Sequence, residues 1–123
     1  MNIETDITAG PFKYSPIGKL VLSRYAVDGS VALVIVDPET SEPLLTASVN
    51  IEGANLKSDE VCIKDWSENE GCGDALVNAG VLEETEDFKA TGFVTAGVYK
   101  IIGPLSEWLG KLPSHEEFVA AYG

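Results

Sequence analysis

The stretch Glu60-Val-Cys-Ile-Lys-Asp-Trp-Ser-Glu-Asn-Glu-Gly-Cys-Gly-Asp-Ala-Leu-Val-Asn-Ala-Gly80 reads as a short strand running straight into a helix. Val61 and Ile63 alternate with Cys62 and Lys64, the period of a half-buried strand. Ser67 followed by Glu70 has the form of a capping box, which predicts a helix from Glu68. Cys72, Ala75, Leu76 and Ala79 then share one helical face, and Gly80 is placed to supply the left-handed residue that closes the helix. Gly71 and Gly73 each cost about 1 kcal/mol relative to alanine in such a helix. Their presence implies tertiary support, or a close approach of something to the backbone.

Working outward, Lys19–Val27 and Ser30–Asp37 flank Asp28-Gly29, the signature of a two-residue type I′ hairpin. That turn would place Tyr25 opposite Ala32, Ser23 opposite Val34 and Val21 opposite Val36. A loop at 38–43 leads to a third strand, Leu44–Ile51. If Asp37 pairs with Leu44, the core face collects Val21, Tyr25, Val27, Ala32, Val34, Val36, Leu45, Ala47, Val49 and Ile51. Leu20, Leu22, Leu33 and Ile35 fall on the other face and need cover; a one-residue slip would exchange the two. Beyond Gly80, Val81-Leu82 pairs briefly before the acidic run Glu83–Asp87. Phe88–Ile102 is β-rich, with Gly97 a bulge or a close backbone approach.

Pro104 can open a helix with Leu105, Trp108, Leu109 and Leu112 on one face. Ser114 and Glu117 begin a second helix, with Phe118, Val119 and Tyr122 on its apolar side. Gly10-Pro11 and Ser15-Pro16 mark residues 1–17 as an extended arm anchored by Phe12 and Tyr14. The predicted organisation is thus an N-terminal arm (1–17), an α+β domain (18–102) and a short helical C-terminal segment (103–123). The domain would hold a mostly antiparallel sheet of about five strands with one central helix packed on it, and regular structure would start near Gly18.

Composition narrows the function. With 123 residues and 45% hydrophobic content the chain is a single folded domain. No apolar run approaches the roughly 20 residues of a membrane span, and the start lacks the pattern of a signal peptide, so a cytoplasmic location in a host cell is expected. Cys62 and Cys72 read as small buried hydrophobes. A net charge of −12 disfavours direct binding to nucleic acid or to an anionic membrane and favours a basic protein. Ten of the 20 acids lie between Asp59 and Asp87, against Lys64 alone.

Asp65-x-Ser67-x-Asn69 begins like a calcium loop, but Glu70 stands where the turn glycine is required and Leu76 where the bidentate glutamate should be. No metal or other cofactor is therefore expected. His115, the single histidine, has no evident nucleophile partner, and phosphate-binding, nucleophile-elbow and dinucleotide motifs are missing. No catalytic residue is assigned and the chain is read as a non-enzyme. The candidate partner-binding residues are Asp65, Trp66, Glu68, Glu70, Asp74, Glu83, Glu84, Glu86 and Asp87. Among them, Trp66 is either an interaction anchor or packing against the sheet edge.

The block Val61–Gly71, with Ala75–Val81 and Thr91-Gly-Phe-Val94, resembles an uncharacterised family of small acidic proteins carried by phages, plasmids and integrative elements. Leu22–Tyr25, Val36-Asp37 and Glu42-Pro43 are similar as well. The resemblance covers about residues 18–102 and is strongest at Asp65–Gly71, where family members more often carry tyrosine at the position of Trp66. It implies a mobile-element setting, with no assigned activity to carry over. The resulting expectation is an acidic binding protein, an inhibitor that presents carboxylates to a basic host nucleic-acid-binding or defence protein in place of phosphates. The alternative is a self-associating structural or accessory phage protein, a homo-oligomer.

Overall fold

The computed structural model describes residues 2–114, 116, 117 and 120. Strands β1 (Ile3–Ala9), β2 (Gly18–Arg24), β3 (Val31–Val36) and β4 (Pro43–Thr46) form one sheet in chain order. Strands β5 (Glu60–Ile63), β6 (Leu82–Thr91) and β7 (Val94–Ile101) form a second, in the order β5-β7-β6. Helix α1 (Cys72–Asn78) joins β5 to β6, and α2 (Gly103–Leu109) follows β7. Every strand pairing is antiparallel. The α+β, mostly antiparallel expectation holds, and α2 falls in the expected C-terminal helical segment, but among the described residues the strands number seven, in two sheets, rather than about five in one.

The two sheets are joined through one short segment. The Ala47 and Ser48 amides both donate to the Leu33 carbonyl of β3, while the Val49 amide donates to Cys62 of β5 and the Lys64 amide to Ala47. Buried Ser48 fixes this crossing: its hydroxyl accepts from the Leu33 amide (2.9 Å) and hydrogen-bonds the Tyr25 hydroxyl (2.9 Å). A buried backbone donor that would otherwise lack a partner is thereby satisfied.

One core takes residues from both sheets and both helices, including Leu20, Leu22, Leu33, Ile35, Leu45, Ile63, Leu76, Leu82, Ile101 and Leu105. This is the reverse of the face predicted for β2 and β3. The loop after β3 is held by the Asp37 carboxylate, which accepts from the Glu39 and Thr40 amides, and a register shift follows between Ile35 and Val36. Leu45 therefore lies opposite Ile35, and the predicted pairing of Asp37 with Leu44 fails by one residue. That slip puts Leu20, Leu22, Leu33 and Ile35 inward, a set with more apolar area to bury than the valine set.

The β2–β3 hairpin forms, but with Ser23 opposite Ala32 and Val21 opposite Val34, two residues away from the predicted register. A type I′ turn needs positive φ at both central residues. Only Gly29 has it (φ 77°), because the Asp28 carboxylate turns to the Ser30 amide (3.0 Å) and hydroxyl (2.7 Å). The chain instead closes with a four-residue loop, since the Tyr25 amide still donates to the Ser30 carbonyl.

Regular structure starts at Ile3, not Gly18: the first part of the expected arm is β1, paired with β2. Phe12 is buried as its anchor, whereas Tyr14 is exposed. The acidic run Glu83–Asp87 lies within β6, well beyond the brief pairing expected at Val81-Leu82. These two outer strands, β1 and β6, share a device. Between Glu4 and Thr8 the register shifts, and Thr5 Oγ1 donates to the Leu20 carbonyl while accepting from the Ile7 amide. Between Glu84 and Phe88 it shifts again, with Thr85 Oγ1 bridging the Val98 carbonyl and the Asp87 amide in the same way. A bulge on an outer strand interrupts the row of backbone groups that could template another chain.

At the C-terminus, α2 has proline in its first turn and places Leu105, Trp108, Leu109 and Leu112 against the core, as their spacing predicts. The Glu117 amide donates to Ser114 Oγ, one half of the expected capping box. Predictions for His115, Phe118, Val119 and Tyr122 lie outside the described residues.

Candidate functional site

The path from β5 to β6 differs from the predicted continuous helix. Ser67–Asn69 forms a single 3-10 turn, Ser67 has φ 58°, and no side chain caps either this turn or α1 through the expected box. Gly71, at φ 85°, separates the turn from α1. Asn69 is buried and donates its amide nitrogen to the Thr46 carbonyl, tying the turn to β4. The far end of α1 follows the sequence closely. Gly80 takes φ 77°, its amide donates to Val77, and the Val81 amide donates to Leu76, the paired bonds of a Schellman motif with Leu76 and Val81 both fully buried.

Gly73 is where α1 meets the second sheet. A Cβ at this position would stand 2.3 Å from Tyr99 Oη and 3.3 Å from Asp65 Oδ2. The close approach implied by the two glycines is therefore real at Gly73, while Gly71 is required for its backbone conformation and has open space around it. Asp65 Oδ1 accepts from the Gly73 amide (3.4 Å), so a carboxylate eight residues upstream serves an N-terminal donor of α1. Tyr99 is buried below. Burial first, then the negative charges of Asp65, Glu84 and Asp74, push its phenol up to about 12.

Strand register sorts the remaining acids by face, because directly paired residues point the same way. On the α1 side the second sheet presents Glu84 opposite Tyr99 and Phe88 opposite Gly97. On the other side Lys100 is flanked by Glu60 and Glu83, and Lys89 lies opposite Ala96. Elsewhere Glu68 is paired with Lys64 (2.5 Å), whose hydrogen bond draws its carboxyl down to about 2, and Glu70 is paired with Lys13 (2.6 Å). Among the described residues no ion pair reaches Asp65, Asp74 or Glu84. Glu86 and Asp87 are exposed on the bulge of β6.

The nine candidate residues are thus not one uniform surface. Asp65, Asp74 and Glu84 come together around Tyr99, with Glu86 and Asp87 beyond them on the bulge. Glu68 and Glu70 are paired with Lys64 and Lys13, and Glu83 lies on the opposite face beside Lys100. Trp66 is half-buried against Cys62, Ala96 and Val98 on the opposite face, where it serves as packing. Cys62 and Cys72 are free and buried, on opposite faces of the second sheet, and burial raises both thiols, Cys72 to about 12.

Three residues absent from the sequence-based assignment belong here. Tyr99 is the group the acids surround, and Phe88 and Phe93 are 66% and 108% exposed on the β6–β7 hairpin. The hairpin was signalled by Thr91-Gly92-Phe93-Val94: Thr91 pairs with Val94, and Gly92 has φ 62°, the glycine-first form of a two-residue turn.

Among the described residues no group of three or more His, Cys, Asp or Glu has the arrangement to hold a metal ion. A cleft of about 460 Å³ runs beside Asp74, between Thr8–Pro11 and α1. No helix among the described residues is long and apolar enough to cross a membrane. Comparison with known proteins gives no match to a family model, a curated protein or a solved structure.

Proposed function

We propose that this chain is a small acidic binding protein, not an enzyme, carried by a mobile element and acting on a basic host protein of the nucleic-acid-binding or defence class. The observation that carries this reading is the segregation of charge by face. Asp65, Asp74 and Glu84 gather on the α1 side of the second sheet with no ion-pair partner among the described residues, whereas the opposite side interleaves glutamates with Lys89 and Lys100. A one-sided field of this kind attracts cationic macromolecules and occupies lysine and arginine side chains that phosphates would otherwise hold.

The test is affinity capture from host lysate at low and high salt, with the parent chain and with E84Q/E86Q/D87N. The parent should retain nucleic-acid-binding proteins at low salt and release them at high salt, and the neutralised chain should retain few. Equal capture by both chains would mean that the carboxylates serve only solubility and edge protection. Self-association, the competing role, gains little support from β1 and β6, which both carry threonine-bridged bulges.

A further inference from the structure

Two large apolar side chains stand in solvent on a hairpin whose root is acidic. Phe93 is fully exposed at the β6–β7 turn and Phe88 is 66% exposed on β6. The hairpin outruns its neighbour: β5 pairs with β7 only from Gly97 to Lys100, whereas β6 stays paired as far as Val94. Phe88, opposite Gly97, shares a sheet face with Glu84, opposite Tyr99. Gly97 and Tyr99 are two residues apart, so the phenyl ring and the carboxylate are separated by about 7 Å along the strand.

We infer that the β6–β7 hairpin is the anchoring part of a docking surface for a cationic, apolar-containing protein segment. Its basic side chains would meet Glu84, Glu86 and Asp87 while an apolar side chain two positions away covers Phe88, and a later one reaches Phe93 at the turn. This rests on the charge-recognition reading above and specifies the partner's chemistry. Charge selects the occupant. A second copy would bring a further −12 and the same carboxylates, and nucleic acid is repelled outright, whereas a basic segment gains from both the rings and the carboxylates. Aromatic anchors at the centre of an interface carry most of its binding energy, with surrounding charges setting specificity and association rate.

The experiment uses the full chain and two synthetic peptides of equal charge, one repeating Lys-Thr-Leu-Thr and the other Lys-Thr-Ser-Thr, with binding followed by calorimetry across a salt series. The leucine peptide should bind more tightly. F88A/F93A should weaken it by about fivefold to thirtyfold while leaving the serine peptide unchanged. E84Q/E86Q/D87N should weaken both peptides and flatten the salt dependence. If the parent binds both peptides equally and F88A/F93A changes neither, the hairpin inference falls while charge recognition stands. If neither peptide binds, both fall. A dimer of the free protein that F88A/F93A dissolves would also overturn the inference, in favour of a second copy. Urea unfolding of each variant verifies that the fold is retained.

Discussion

Replacing Gly73 with alanine pits two effects of opposite sign against each other. Gly73 lies within α1, where helix propensity alone would make alanine more stable by about 0.8–1 kcal/mol. The new Cβ would meet Tyr99 Oη at 2.3 Å and Cζ at 2.9 Å, against an ordinary contact distance of at least 3.4 Å. Tyr99 is 7% exposed and its ring has little room to retreat, so either α1 must lift from the sheet or the ring must rotate out of the core. Overpacking costs about 1–3 kcal/mol, and an approach this close belongs to the upper part of that range, about 2–3 kcal/mol, which exceeds the propensity gain. The expected net is a loss of about 1–2 kcal/mol, which lowers the urea midpoint by roughly 1 M at a typical slope for a small domain. Fluorescence of half-buried Trp66 and Trp108 reports the transition. Y99F removes the nearest atom but leaves Cζ, so G73A/Y99F should recover part of the loss, with a coupling of about 0.5–2 kcal/mol. A G73A chain as stable as the parent, or an additive double variant, would refute the placement of Tyr99 beneath α1.

Ser48→Ala should cost about 1–3 kcal/mol in the same assay, because the buried Leu33 amide loses its acceptor. In a spectrophotometric titration, the tyrosine transition that Y99F removes should lie near pH 12. A folded-state pKa above the free value favours the neutral form, so its contribution is full below pH 10 and disappears as pH rises from 10 through 12. Cys72, raised from 9.0 to about 12, works in the same direction, and Y99F should therefore shift alkaline unfolding to higher pH. A thiol reagent should modify neither Cys62 nor Cys72 until the chain unfolds, since each is 1% exposed; rapid labelling of either would contradict its burial. Thr85→Val should cost about 0.5–1.5 kcal/mol by removing the hydroxyl that bridges the β6 bulge, and an unchanged urea midpoint would count against that role.

The parts of the fold that were legible in sequence are those fixed by local backbone chemistry. Gly80 ends α1 because only a left-handed residue completes the bonds to Leu76 and Val77, and Pro104 opens α2 because the first turn needs no amide donor there. Where a side chain could choose between partners, local pattern misled. Asp28 took Ser30 instead of a type I′ turn, Asp37 took the Glu39 and Thr40 amides, and the resulting shift reversed the core face of the first sheet. Ser67 and Glu70 had the letters of a capping box, but Gly71 bends the chain before a helix can propagate from them. Strand β6 was hidden because an outer strand tolerates charges at successive positions, which erases the two-residue period. At the candidate site, the concentration of acids was visible, but their division by face was not. That division depends on the β6–β7 register and on the distant partners Lys13 and Lys100.

The joint at Ala47–Val49 also governs how the molecule comes apart. Because Leu33, Ser48 and Cys62 are held by one short length of chain, neither sheet keeps a finished border once that length is pulled away. Cutting the protein there would yield two incomplete fragments instead of a stable half with a detachable appendage. Tolerant points for splitting or tagging should instead be sought in the exposed turns around Thr40 and Gly92, remote from the joint.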